Sequence, residues 1–232
     1  MDPHATPAGD ADHRIVAVAG ATGLVGRALV ARLCADASVA RVHVLVRRAP
    51  AQAHPKVRAH VVDVASLPAL SALDEAYLAL GTTIKAAGSR AAFRAVDLEA
   101  NLAVARAALA AGVRRIGLVS ATGADARSRV FYSRTKGELE QALAALPLAA
   151  LVIARPALLL GDRDALGQPH RAGEALAMSL DRWLRPLLPA RYRGIRAEDV
   201  AAALADAVPR ARGRVVLASD AMQGAAARDA RA

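Results

Sequence analysis

The stretch that decides the fold reads IVAVAGATGLVG from Ile15 to Gly26. Its apolar start predicts a buried strand, and a helical pattern follows from Arg27 to Leu33. Between them lies a turn with glycines spaced G-x-x-G-x-x-G, which presents backbone N–H groups and the positive end of a helix dipole to an anion. Because glycine lets a pyrophosphate approach the backbone, we expect this turn to bind the dinucleotide NAD(P). The residues expected to line it are Gly20, Ala21, Thr22, Gly23, Leu24, Val25 and Gly26.

Strand and helix patterns alternate along the rest of the chain. Near-continuous apolar strands separated by helical segments predict a parallel sheet covered on both faces, an α/β fold of the doubly wound type. The predicted strands are Arg14–Ala19, Val42–Val46, Val57–Val62, Glu75–Leu80, Arg115–Val119, Ala149–Ala154 and Arg214–Ala218. The predicted helices are Leu24–Ala35, Ser89–Ala111, Val130–Ala145 and Glu198–Val208.

The length of 232 residues suits one domain, which we assign to residues 13–222. Residues 1–12 and 223–232 have the composition of disordered tails. The segment 161–194 is rich in proline, arginine and glycine and interrupts the alternation of strands and helices. An insertion at the carboxyl end of a strand in such a sheet is where a substrate pocket is built, so we expect this segment to contact a small-molecule substrate.

Charge and composition argue against several classes of protein. The net charge is +10, but the arginines are scattered among alanines without basic runs. We interpret this as a compositional bias and expect no nucleic-acid partner, with a polyanion-binding surface as the alternative. No apolar run reaches the ~18 residues of a membrane span. The residues before His13 lack the apolar segment of a secretory signal, and the single cysteine, Cys34, excludes an intramolecular disulfide. We therefore expect a cytoplasmic protein that does not bind membranes.

The end of the second strand predicts which nucleotide is bound. Val44-Leu45-Val46 is followed by Arg47 and Arg48, with no carboxylate nearby. An acid at this point usually binds the ribose of NAD, whereas a guanidinium suits the 2′-phosphate of NADP. We therefore predict NADP, the alternative being two surface arginines in an arginine-rich chain.

Two further strand ends carry candidate cofactor-binding residues. Asp63 and Val64 follow the third strand, where the carboxylate either accepts a hydrogen bond from the adenine amino group or caps the segment before Ser66. The fourth strand ends in Leu80-Gly81-Thr82-Thr83. Small residues there let the backbone approach the cofactor ribose, a plain turn being the alternative.

A candidate catalytic set begins at the end of the fifth strand. That strand ends at Ser120, and Tyr132 and Lys136 follow four residues apart on the next predicted helix, so they face the same side of it. A neighbouring ammonium favours phenolate and lowers the pKa of a tyrosine, which makes it a usable acid–base near neutral pH. Ser120 is placed to hydrogen-bond a substrate carbonyl or hydroxyl. The alternative is an exposed Tyr–Lys pair on an amphipathic helix whose Leu139 and Leu143 face the core.

Together these motifs resemble the short-chain dehydrogenase/reductase superfamily, and within it the atypical NAD(P)H-binding members. The resemblance rests on the glycine-rich turn, Arg47-Arg48, Leu80–Thr83, Ser120, Tyr132–Glu138, Arg155–Gly161 and Glu198–Ala201. More narrowly, the chain is similar to the Tat-interacting tumour-suppressor-like oxidoreductases and their bacterial relatives. The segments that carry this narrower resemblance are Val119–Asp125, Gly161–Arg163 and Arg171–Glu174.

The resemblance implies a Rossmann-like domain that binds NADPH, with a small C-terminal lid at about residues 161–194. It implies that Tyr132 is the acid–base, that Lys136 holds the nicotinamide ribose and tunes Tyr132, and that Ser120 orients the substrate. Asn101 matches an asparagine that completes a proton relay in many members, the alternative being a polar residue on a helix face. Two residues, Pro156 and Leu159, match a stretch near the nicotinamide, and Arg171 would reach the cofactor or substrate from the lid.

The first functional hypothesis is an NADP-dependent oxidoreductase that acts on a small carbonyl or alcohol as a monomer or homodimer. One alternative is an NADP-binding regulatory or scaffold protein, although members of that kind tend to lose the Tyr–Lys pair that this chain keeps. The other is an NAD(P)-dependent epimerase or dehydratase, which usually needs a larger substrate domain than residues 161–194 offer. No metal site is predicted.

Overall fold

A seven-stranded parallel sheet forms the centre of the structure, a computed structural model that describes residues 13–47, 54–62, 72–160 and 189–229. The strands are β1 (Arg14–Ala19), β2 (Val39–Val46), β3 (Val57–Val61), β4 (Glu75–Leu78), β5 (Arg115–Val119), β6 (Ala150–Arg155), β7 (Leu159–Leu160), β8 (Ile195–Arg196) and β9 (Gly213–Ala218). In the large sheet they lie in the order β3-β2-β1-β4-β5-β6-β9, and β7 and β8 form a separate parallel pair. The fold is therefore the predicted doubly wound, Rossmann-like α/β fold.

Helices cover both faces of the sheet. They are α1 (Leu24–Ala35), α2 (Ile84–Ala87), α3 (Arg90–Arg94), α4 (Asn101–Ala110), α5 (Phe131–Ala144), α6 (Ala197–Ala207), α7 (Ser219–Met222) and α8 (Ala225–Asp229). A π-helical segment, Ala95–Ala100, joins α3 to α4, and a 3₁₀ turn spans Ala190–Tyr192. The helix predicted at 89–111 is therefore helical throughout residues 90–110, with a π-helical segment in its middle.

Strand β1 shows why the central strands are mostly apolar. Successive side chains of a strand point to opposite faces. Val16 and Val18 of β1 belong to one core cluster, which also contains Leu29 of α1. Ala17 and Ala19 belong to the other cluster, on the side of α4 and α5. Since residues 16–19 are buried on both faces of the sheet, all four are apolar, and the helices cover the sheet in two layers.

The carboxyl terminus differs from the prediction. We expected a disordered tail from residue 223, but α8 occupies Ala225–Asp229 and packs against α6. The carboxylate of Asp199 in α6 accepts a hydrogen bond from the backbone N–H of Ala226 at 3.1 Å. This long-range cap orders a segment whose polar, alanine-rich composition gave no strong signal of its own.

Other predicted segments lie outside the described residues. These are residues 1–12 and all of the predicted lid except 189–194. Within the described parts of the chain, no helix is long and apolar enough to cross a membrane.

Candidate functional site

The site lies at the carboxyl ends of β1 and β4, where the direction of the chain across the sheet reverses. From β1 the chain proceeds outward to β2 and β3, and it then returns to place β4 on the other side of β1. Loops that leave neighbouring strands in opposite directions open a crevice, which is the general ligand site of such sheets. The glycine-rich turn follows β1, and Leu80–Thr83 follows β4. Both predicted cofactor segments therefore meet at this crevice.

Two of the three glycines are required by packing within the protein. Gly20 has a φ of +83°, and a Cβ there would lie 2.4 Å from the carbonyl oxygen of Ala79, just after β4. A Cβ on Gly26 would lie 2.0 Å from the carbonyl oxygen of Gly20. The turn is thus pressed against the end of β4 on one side and against the first turn of α1 on the other.

Gly23 is different, because the protein leaves room for a side chain there. Its backbone has a φ of −79° and a ψ of 170°, and the nearest atom to a Cβ would be the Gly20 carbonyl oxygen at 3.4 Å, an ordinary contact. Gly23 is the N-cap of α1 and supplies no side-chain cap, and the first turn of α1 contains no acid. The open space and the uncapped helix N-terminus fit the pyrophosphate of a dinucleotide.

The end of β4 also contacts the predicted catalytic helix. A Cβ on Gly81 would lie 3.8 Å from Lys136 Nζ and 3.6 Å from Asp97 Oδ1. Lys136 Nζ lies 2.7 Å from Asp97 Oδ1, and the two side chains are 5% and 1% exposed. The backbone N–H of Thr82 donates to Asp97 Oδ2 at 2.8 Å. Lys136 and Asp97 therefore form a buried pair beside the loop that follows β4.

Asp97 was missed by our sequence reasoning. The available signal was an acid in a mostly apolar helical stretch, four residues before Asn101 and thus near the same helix face. Nothing in the local pattern indicated that Lys136 would be its partner.

Asn101 links the π-helical segment to the strand end. Its Nδ2 donates to the Leu80 carbonyl at 3.1 Å and to the Val96 and Asp97 carbonyls at 3.3 and 3.2 Å. It is fully buried, and its Oδ1 has no hydrogen-bond partner. The side chain thus joins carbonyl groups of the π-helical segment to the carbonyl of Leu80 after β4. A role for Asn101 in a proton relay stays a prediction.

Tyr132 lies in the first turn of α5, one turn before Lys136. Its ring packs at a tilt against Phe93, with 5.6 Å between the ring centroids. Gly137 lets α5 approach the preceding loop, since a Cβ there would lie 2.1 Å from the backbone nitrogen of Ala126. The aromatic contact and the glycine contact together fix the start of the helix that carries the Tyr–Lys pair.

Ser120 has a partner that the sequence did not reveal. Its hydroxyl donates to Glu140 Oε1 at 2.6 Å, and both residues are buried. Arg155 donates to the same carboxylate, Nε to Oε1 at 3.0 Å and Nη2 to Oε2 at 2.6 Å. The hydrogen bond to Glu140 raises the pKa of Arg155, and burial opposes that rise. In this structure the proton of Ser120 points to Glu140, so its role in orienting a substrate stays a prediction.

The remaining predicted residues that the structure describes lie at the ends of other strands or beyond them. Arg47 is exposed just after β2, and Thr83 caps α2 by accepting a hydrogen bond from Ala86 N at 3.1 Å. Pro156 follows β6, and its carbonyl accepts from Thr122 N at 2.9 Å. Leu159 of β7 pairs with Ile195 of β8. Outside the described residues lie Arg48, Asp63, Val64 and Arg171.

Comparison with known proteins agrees with this geometry. The NAD(P)H-binding family matches residues 20–160, which run from the glycine-rich turn to β7. The chain belongs to this family. It is 36% identical over 172 residues to protein fmp52, mitochondrial, of Emericella nidulans, covering 70% of this chain and 72% of the relative. It is 32% identical over 176 residues to protein FMP52, mitochondrial, of Candida albicans, covering 72% and 76%.

Solved structures confirm the fold. The enzyme WbmF of Bordetella bronchiseptica, in complex with NAD⁺, superposes with a TM-score of 0.66 at 20% identity, covering 93% of this chain and 77% of that one. MoeE5, in complex with UDP-glucose and NAD, superposes with a TM-score of 0.65 at 20% identity, covering 88% and 75%. At these identities the likeness shows the fold alone. None of these comparisons shows the narrower resemblance to the Tat-interacting group.

The expectation of a cytoplasmic protein is wrong. Several curated relatives in this family are named mitochondrial. Our expectation rested on the absence of an apolar secretory segment and on cysteine content. Neither feature separates cytoplasmic proteins from mitochondrial ones, whose targeting segments are amphipathic and not continuously apolar.

Proposed function

We propose that this protein is an NADP(H)-dependent oxidoreductase that interconverts a small carbonyl compound and its alcohol. One observation carries the proposal. The loop that follows β4 packs against the nucleotide turn at Gly20 and is linked through Asp97 to Lys136 of the Tyr–Lys helix. A nucleotide bound on the glycine-rich turn would therefore extend across the carboxyl end of β4 toward Lys136. This arrangement supports catalysis next to the cofactor, although the fold alone would not imply it.

Different residues would bind the nucleotide and transfer the proton. The turn around Gly23 would bind the pyrophosphate, and the nucleotide, when bound, would donate or accept a hydride at its nicotinamide ring. Lys136 would donate hydrogen bonds to the nicotinamide ribose. The Tyr132 hydroxyl would give its proton to the carbonyl oxygen as negative charge develops there, and would accept it back in the reverse direction.

The preference for NADP rests on Arg47. It is exposed just after β2, where a 2′-phosphate would lie. Among the described residues it makes no ion pair or hydrogen bond, so its guanidinium is free to form a charge-assisted fork with a phosphate. The narrower resemblance to the Tat-interacting group, which implies NADPH, agrees with this proposal.

One observation favours the second hypothesis, an NADP-binding regulatory protein with little catalysis. The Ser120 hydroxyl donates to Glu140 and not toward the crevice. A protein that only senses the nucleotide would need the turn and Lys136 but no free serine hydroxyl. The two hypotheses therefore differ in whether substrate is turned over, not in whether the nucleotide is bound.

The test is to purify the protein and to identify any bound nucleotide by mass spectrometry. NADPH oxidation is then followed against a panel of small aldehydes and ketones, with Tyr132→Phe as the matched control. Turnover by the wild type that Tyr132→Phe lacks is the expected result. Tight NADPH binding without turnover of any panel member favours the regulatory hypothesis. A protein that binds neither NADPH nor NADH contradicts the whole proposal.

A further inference from the structure

We propose that Asp97 is the positioning residue of the nucleotide site. It holds the Lys136 ammonium and the Gly81–Thr82 backbone in one fixed arrangement before the nucleotide binds. The inference rests on the proposed nucleotide site, and it adds a residue that acts through Lys136 and not by direct contact with substrate.

The two carboxylate oxygens of Asp97 have different partners. Oδ1 lies 2.7 Å from Lys136 Nζ, and Oδ2 accepts the N–H of Thr82 at 2.8 Å. The first contact reaches the catalytic helix α5, and the second reaches the loop that follows β4. A single side chain therefore sets the distance between these two elements.

Burial means that the charges of Lys136 and Asp97 must compensate each other. Lys136 and Asp97 are 5% and 1% exposed, and an isolated buried charge is strongly disfavoured. The Asp97 carboxylate compensates the charge of the ammonium at this depth. An ammonium has three N–H donors, so the ion pair with Asp97 Oδ1 occupies at most one of them. Because Lys136 lies beside Gly81, its remaining N–H groups would donate hydrogen bonds to the hydroxyl groups of a ribose bound at the end of β4.

The π-helical segment presents the Asp97 carboxylate to Lys136. Asp97 lies within Ala95–Ala100, where the regular helical hydrogen-bond pattern is widened. Asn101 Nδ2 donates to the carbonyls of Val96 and Asp97 and also to the carbonyl of Leu80. The Asn101 side chain thus ties the widened turn to the carbonyl of Leu80, while Asp97 accepts from the N–H of Thr82 two residues later.

The test compares two acid-to-amide changes in the same π-helical segment. Asp97→Asn removes the buried charge with almost no change in shape. Glu99→Gln is the matched control, because Glu99 is 63% exposed and only approaches Arg94 at 3.9 Å. We expect Asp97→Asn to weaken NADPH binding roughly tenfold or more, and Glu99→Gln to change it less than about twofold.

A second readout reports on Lys136 without the nucleotide. The chain has three lysines, Lys56, Lys85 and Lys136, so selective ¹⁵N labelling of lysine gives a side-chain spectrum of three signals. Substitution of Lys56 and Lys85 by arginine assigns the third. We expect Asp97→Asn to move the Lys136 signal in the free protein, NADP⁺ to move it in the wild type, and Glu99→Gln to leave it in place.

A double variant keeps the test decisive if Asp97→Asn folds poorly. Lys136→Met leaves Asp97 buried without its partner, and Asp97→Asn combined with Lys136→Met removes both charges. If Asp97 acts through Lys136, the double variant binds NADPH no more weakly than Lys136→Met alone and has a higher Tm. If the two losses of affinity multiply, Asp97 acts independently and the inference is overturned.

The outcomes separate the two proposals. A wild type that binds neither NADPH nor NADH contradicts the proposed function. A wild type that binds NADPH while Asp97→Asn matches Glu99→Gln in affinity and in the Lys136 signal overturns the positioning role alone.

Discussion

Exchanging Gly23 and Gly26 separately for alanine tests whether the turn serves a ligand or only the fold. Both belong to the same short motif, yet the structure places them in opposite situations. At Gly23 a Cβ meets only the Gly20 carbonyl oxygen at 3.4 Å, whereas at Gly26 it would lie 2.0 Å from that oxygen and 2.9 Å from Ala21 Cα. We expect Gly23→Ala to weaken nucleotide binding in a folded protein, and Gly26→Ala to destabilise the protein itself.

The magnitudes follow from these contacts. At Gly23 the φ of −79° suits any residue, so alanine gains about 0.4–1 kcal/mol from a less flexible unfolded chain. It loses a similar amount because alanine is a poorer N-cap than glycine. The net change in the free energy of unfolding should stay below about 1 kcal/mol, or a shift in Tm within about 4 °C. At Gly26 overpacking costs about 1–3 kcal/mol or more.

For NADPH affinity we expect the larger loss at Gly23, the position where the change in stability is smaller. A Cβ on Gly23 projects into the space where the pyrophosphate would approach, and loss of one charged hydrogen bond costs roughly 1.5–3 kcal/mol. That corresponds to about ten- to hundredfold weaker NADPH binding. The assay is calorimetric titration of NADPH beside thermal unfolding followed by circular dichroism. If Gly23→Ala binds NADPH within about twofold of the wild type, the reasoning is refuted. The larger side chain of Gly23→Val should abolish NADPH binding.

Three further predictions use other parts of the molecule. Arg47→Asp should weaken NADPH binding about tenfold or more while sparing NADH, measured by fluorescence titration, and equal loss for both would contradict it. Tyr132→Phe should lower turnover roughly 10²–10⁴-fold with little change in NADPH affinity, whereas Lys136→Ala should impair both; wild-type turnover by Tyr132→Phe would remove the proposed acid–base. Burial, followed by the charges of His60 and two arginines, lowers the pKa of His43, whose Nδ1 lies 2.8 Å from His60 Nε2. The unfolded chain therefore binds a proton more readily, so the free energy of unfolding should fall as the pH drops below about 6.5. His43→Gln should flatten this dependence in urea unfolding, and an unchanged slope would show that other groups cause it.

The glycine-rich motif shows which features of the turn the local sequence pattern predicts. The spacing of Gly20, Gly23 and Gly26 predicted the turn, the helix start and the anion site, because glycine in such a turn reflects short-range steric rules. It did not distinguish the three positions. Which glycine is required by β4, which by α1 and which by a ligand depends on the distances between the turn and its neighbours in space.

Periodicity and spacing in the sequence alone determined the order of strands and helices, the parallel doubly wound sheet, and the Tyr132–Lys136 pair on one helix face. These follow from rules that act within a few residues: side-chain alternation in strands, helical repeat and turn chemistry. Only the tertiary structure decided that Asp97 partners Lys136, that Ser120 donates to Glu140, and that the chain beyond residue 223 forms α8 against α6. Each of these joins groups far apart in sequence. Their pairing is set by which buried polar groups must satisfy one another once the sheet and helices have packed, and no local pattern records that requirement.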